Sequence, residues 1–136
     1  MMYIRKIGSP TSVALLGLLW GACDSPTGPT AGDLVVRLST PNPDDRAAQL
    51  TIKCPQPPVS VNVTAGYLAY FDIGGSSATL IVIRQEGEFI PTRADVARVY
   101  VEDVSKPCSA NLTSVSFQGY GLRTSLAGYS VSVLKP

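Results

Sequence analysis

The sequence has no histidine and a single tryptophan in 136 residues. Without histidine the commonest general base is missing, as are the usual serine triad and most zinc and iron sites. Charge is also scarce. Charged residues are 15% of the chain, 11 basic against 10 acidic, for a formal net charge of +1. Neutralising nucleic-acid phosphates needs a basic excess on one face, so a nucleic-acid partner is not expected. Long apolar runs are missing too. The longest, Val13 to Ala22, is ten residues, about half of the roughly twenty that a membrane-spanning helix needs. No segment keeps a 3.6-residue apolar period, and few charges with 11 Pro and 12 Gly do not suit a coiled coil. A hydrophobic content of 45% is too high for a disordered chain.

What is present divides into an address and a body. Met1 to Ser12 carries Arg5 and Lys6 and no acid, and VALLGLLW and then Gly21, Ala22 and Cys23 follow. A basic start, a short apolar run and small residues make a secretory signal. The small residues before Cys23 resemble the lipobox of bacterial lipoproteins. That resemblance implies cleavage after residue 22, a diacylglyceryl group on the Cys23 thiol and acylation of the new amine. The alternatives are ordinary secretion, for which Gly21 and Cys23 form a poor cleavage site, and a buried thiol in a core helix. Nothing amphipathic continues past Cys23 to build such a helix. Residues 23–32 then read as the lipidated cysteine and a tether rich in Pro, Thr and Gly, with a reach of about 30 Å if extended. Removal of Arg5 and Lys6 leaves 9 basic and 10 acidic residues, so the mature chain carries about −1.

Residues 33–136 read as one all-β domain. Short runs rich in Val, Ile, Thr and Tyr alternate with clusters of Pro, Gly, Asn, Asp and Ser. Leu34, Val36 and Leu38 share one face, as do Leu50, Ile52 and Cys54, and Val59, Val61 and Val63. Gly66 to Ile73 is an aromatic strand, and Thr79 to Ile83 (TLIVI), apolar on both faces, is expected at the centre of a sheet. Ala97, Val99 and Val101, then Val115 and Phe117, then Tyr129, Val131 and Val133 repeat the alternation. This predicts about eight strands in an antiparallel β-sandwich, immunoglobulin-like or jelly roll. Pro91 to Arg98 (PTRADVAR) is the best helix candidate, as a loop with one helical turn. The turns fall at TPNPDD (40–45), DIGGSS (72–77) and QEGE (85–88). Lipid cysteine, spacer and single sandwich together resemble small all-β lipoproteins of environmental bacteria. The segment from Gly32 to Lys53 is similar in style to the opening of cohesin-like and immunoglobulin-like sandwiches, which implies a fold and no ligand.

Beyond Cys23 two cysteines remain. An oxidising envelope compartment favours a Cys54–Cys108 disulfide over two buried free thiols, and the lack of C-x-x-C spacing argues against redox catalysis. Candidates for other chemistry are weak. Glu86 and Glu88 flank Gly87 in a polar turn, where both are expected to be solvated rather than paired across a cleft. Asn42, Asp44 and Asp45 offer oxygens to calcium without the spacing of a calcium loop, so a capped turn is the simpler reading. A serine nucleophile would need Lys53 or Lys106 as base, and the adjacent Ser105 and Lys106 make no dyad. Two glycosylation sequons, at Asn62 and Asn111, are a frequent chance pattern.

Aromatic rings are the remaining functional hint. Tyr67, Tyr100 and Tyr120 are the candidate binding residues, with Tyr100 and Tyr120 the best placed to be exposed, although scattered rings on sheets more often cover edges or fill cores. The expectation is a lipid-anchored module of the bacterial cell envelope, facing the periplasm or exterior, with a structural or protein-interaction role. It is expected to have no catalytic activity, cofactor or metal. The alternatives are a carbohydrate- or peptide-binding module using exposed tyrosines and, further off, a carboxylate hydrolase.

Overall fold

The structure is a computed structural model that describes residues 28–85 and 87–136. The signal at 1–22, Cys23 and Glu86 lie outside the described residues. Eight strands follow one another: β1 (Gly32–Ser39), β2 (Asp45–Lys53), β3 (Ser60–Val63), β4 (Tyr67–Gly74), β5 (Ser77–Arg84), β6 (Arg93–Val101), β7 (Ser109–Phe117) and β8 (Ser130–Leu134). They form two four-stranded antiparallel sheets, in the orders β3-β6-β1-β8 and β4-β5-β2-β7. The first strand starts at Gly32, one residue before the expected boundary. Thr30 is already engaged, its carbonyl accepting the Val104 amide at 2.8 Å.

Strand 1 pairs with 8, 2 with 7, 3 with 6 and 4 with 5, so the chain is folded back on itself about the β4–β5 hairpin. Consecutive strands otherwise lie in opposite sheets. The β4-β5-β2 and β3-β6 adjacencies are those of an immunoglobulin-like order, but β1 lies beside β6 and β8 rather than beside β2, so the chain is a two-sheet antiparallel sandwich with its own edge arrangement. The hairpin closes on Gly75 and Ser76, with Gly75 at φ 61° supplying the left-handed residue that a two-residue loop requires.

Alternation explains the core. Leu34, Val36 and Leu38 of β1 and Val99 and Val101 of β6 face Leu50 and Ile52 of β2 and Leu80 and Val82 of β5, all buried. β5 is an inner strand, as its doubly apolar pattern predicts. Cys54 and Cys108 are joined in a disulfide with Cα atoms 4.3 Å apart, tying the end of β2 to the start of the neighbouring β7.

The helical turn expected at 91–98 is replaced by strand β6. Val96 and Ala97 are consecutive and both buried, because β6 carries a bulge there: Val36 faces Ala97 and Arg37 faces Asp95, leaving Val96 as the extra residue. The bulge shifts the alternation by one, so Ala94, Val96, Ala97 and Val99 no longer read as period two.

Candidate functional site

The two outer faces of the sandwich differ in chemistry. On the β3-β6-β1-β8 sheet the outward positions include Arg37, Asp95 and Arg98. Arg37 grips Asp95 through Nε at 2.6 Å and Nη2 at 3.3 Å. The guanidinium holds the Asp95 carboxyl below the usual carboxylate range, chiefly by that hydrogen bond. This face is an ordinary solvated surface.

The outer face of the β4-β5-β2-β7 sheet is uncharged over its middle, with Asp72 of β4 and Lys53 of β2 at the end nearest the β4–β5 turn. Leu68 and Tyr70 of β4 lie beside Ile83 and Ile81 of β5, and Ala47 and Gln49 of β2 lie beside Ser116 and Ser114 of β7. Leu68 is 57% exposed, Tyr70 67% and Leu122 65%. Leu122 is laid against β7 by a bridge to Ser116. Three shallow depressions cross this face. One of about 390 Å³ lies between Leu68, Ile83, Ala47 and Tyr120, with Arg46 and Arg84 at its rim. A second is floored by Gln49, Ile81 and Ser114 under Leu122, and a third is lined by Tyr70, Phe71, Asp72, Thr79 and Ile81. An apolar sheet face with charge only at its margin has the composition of a recognition surface.

The three sequence-derived tyrosines are not brought together. Tyr67 is buried, so it is not an exposed ring; it turns inward as the first residue of β4, with the Arg84 guanidinium 4.9 Å from its ring centroid. Burial pushes its hydroxyl pKa up, partly offset by Arg84. Tyr100 lies on the charged outer face, opposite Asp33 and Ser60. Tyr120 stands out at 90% exposure, with φ 67°, beside the first depression. The ring that joins Tyr120 on the uncharged face is Tyr70. Tyr67 and Tyr70, three apart on one strand, must face opposite sides, and that parity was the available signal.

The acidic turn residues serve a structural purpose. Asp45 is fully buried. Its Oδ1 accepts Arg123 Nε at 2.9 Å and lies 2.8 Å from Arg123 Nη2, and its Oδ2 accepts the Tyr129 hydroxyl at 2.7 Å and the Thr40 hydroxyl. Asn42 Nδ2 donates to the Tyr129 oxygen at 2.8 Å, and Arg123 also pairs with Asp44. Arg123 lies 4.5 Å from the Phe117 ring centroid. Both Asp45 oxygens are thus taken by an arginine and two hydroxyls, which makes Asp45 the centre of a satisfied buried network. Among the described residues no group of three or more acidic or cysteine side chains is placed to hold a metal. Glu88 pairs with Arg84 at 2.6 Å, and Ser105 donates to Asp103 Oδ1 at 2.7 Å to cap its own loop. No protein-family model, curated protein or solved structure matches the chain.

Proposed function

We propose that the chain is a lipid-anchored β-sandwich module of the bacterial cell envelope, held to a membrane through a lipid on Cys23. Its role is structural or protein-interacting rather than catalytic. The observation that carries this reading is the contrast between the two outer faces. One is charged and self-paired. The other presents Leu68, Tyr70 and Leu122 to solvent, with Asp72 and Lys53 confined to one end of the sheet. The fitting partner is another envelope protein with an apolar centre to its surface, since a charge set over Leu68, Ile81 or Leu122 would lose its hydration without a counter-ion beside it.

Two measurements test the proposal. Cys23→Ala in the full chain should move the protein from the membrane to the soluble fraction, and unchanged partitioning refutes the anchor. A photo-cross-linking residue at Leu122 should form adducts with another protein in cells, while one at Tyr100 should not. Equal labelling from both faces, or from neither, refutes the docking face. The second reading, a glycan-binding module, is favoured by Tyr70 and Tyr120 sharing a face with Gln49, Ser114 and Ser116. Saturable binding of a soluble glycan that is lost in Tyr120→Ala would select it.

A further inference from the structure

The sandwich has four sheet edges, and three of them are blunted. β3 is only four residues long and follows Pro57 and Pro58. β8 is five residues and runs into Lys135 and Pro136. β7 bulges at Thr113, whose hydroxyl is bonded to the Gln49 carbonyl at 2.8 Å, and its far end is covered by Gly121 to Arg123. Short strands, proline, lysine, bulges and covering loops are the devices that keep edges from pairing. β4 has none of them. It is eight residues long, without a bulge, proline or basic residue, and Asp72 is its single charge.

The direction of its backbone groups follows from the hairpin. The Gln85 amide donates to the Gly66 carbonyl at 3.2 Å. Antiparallel ladders alternate, so Leu68, Tyr70 and Asp72 also point their amides and carbonyls at β5, and Ala69, Phe71 and Ile73 point theirs at the open edge. Phe71 remains 51% exposed although its parity is inward.

We propose that β4 pairs with β4 of a second copy of this chain, antiparallel about a two-fold axis at Phe71, joining two sheets into one of eight strands. The register is selected by the residues. Centred on Phe71, the open groups meet open groups: Phe71 with Phe71, and Ala69 with Ile73. Tyr70 then stands across from Asp72 of the second copy. A centre at Asp72 sets two carboxylates face to face, which is destabilising. A centre at Tyr70 requires the Tyr67 amide, which already donates to the Thr64 carbonyl at 3.3 Å. Near-neutral net charge lets two copies approach without repulsion. The contact is isologous and closed, as expected of a dimer rather than a fibre. It does not depend on the lipid anchor or on the docking face.

The test is sedimentation velocity of the full chain in detergent, with circular dichroism to verify folding. The wild type should form a dimer within the range to about 100 μM. Phe71→Lys and Ala69→Pro should each be monomeric while keeping strand signal, and Ser60→Lys on the β3 edge should leave the dimer unchanged. Phe71→Cys should cross-link to itself through a short bismaleimide, as residues about 5.5 Å apart across a two-fold axis must, and Thr79→Cys should not. A wild type that stays monomeric overturns the proposal. So does a dimer that survives both β4 substitutions, or a cross-link formed as well from Thr79 as from Phe71.

Discussion

Replacing Asp45 by alanine is the most direct probe of what holds the sandwich closed. Asp45 is fully buried and accepts hydrogen bonds from Arg123, Tyr129 and Thr40. Its removal takes the acceptor from the Tyr129 hydroxyl, leaves the Thr40 hydroxyl with only the Asn42 carbonyl at 3.3 Å, and leaves the Arg123 guanidinium with Asp44 as its one carboxylate partner. Breaking a buried charge pair by deleting one member costs about 3–5 kcal/mol. Water can reach the other end of this pair, because the Arg123 side chain keeps 20% of its surface exposed and the Asp44 side chain 42%. The lower end of the range therefore applies, about 3 kcal/mol, or a fall in melting midpoint on the order of 15 °C. Urea unfolding followed by tyrosine fluorescence, with the disulfide intact, measures it. Asp44→Ala should cost less than about 1 kcal/mol, because a half-exposed ion pair is worth little. Tyr129→Phe should cost about 1 kcal/mol for one hydrogen bond. If Asp45→Ala unfolds within about 1 kcal/mol of the wild type, the network is not what closes this end of the sandwich.

Removing the disulfide with Cys54→Ala and Cys108→Ala together frees a loop spanning 54 positions. In the chain-entropy account this costs about 4 kcal/mol, read as a lower denaturant midpoint, and an unchanged midpoint contradicts it. Gly121→Ala places a Cβ 2.6 Å from the Phe117 ring. Moving that ring out from beside Arg123 should cost about 1–3 kcal/mol, which calorimetry would show. The Arg37–Asp95 pair should make stability depend on acid. Asp95 has a depressed folded pKa, so its stabilisation is present above the unfolded carboxylate value of about 3.9 and is lost as pH falls through the lower folded value. Asp95→Asn should flatten the fall of the unfolding midpoint below about pH 4, and identical pH profiles would refute the pairing.

Local alternation was enough to place most of the strands. TLIVI reads as an inner strand because both its faces are apolar, and it is one. Its second apolar set, Ile81 and Ile83, lies on the outer face between Leu68 and Tyr70 of β4 and Ala47 and Gln49 of β2. The β6 bulge was not legible, because two adjacent inward residues break the period on which strand recognition depends. The Asp45 network was hidden for a different reason. Arg123 and Tyr129 lie 78 and 84 positions from Asp45, and only the folding of the chain about the β4–β5 hairpin brings them to it. Tyr67 turns inward with the parity of Ala69 and Ile73, which residue type alone does not reveal.

The nested pairing also governs when this domain can form. β1 has β6 and β8 as its neighbours, so the first strand made waits for the last before its sheet is whole. Only the β4–β5 hairpin can assemble from adjacent segments. Such a chain folds slowly, because long loops must close before contacts reward them. During synthesis β4 and β5 can meet as soon as both are made, whereas β1 stays without either of its partners until β6 has followed.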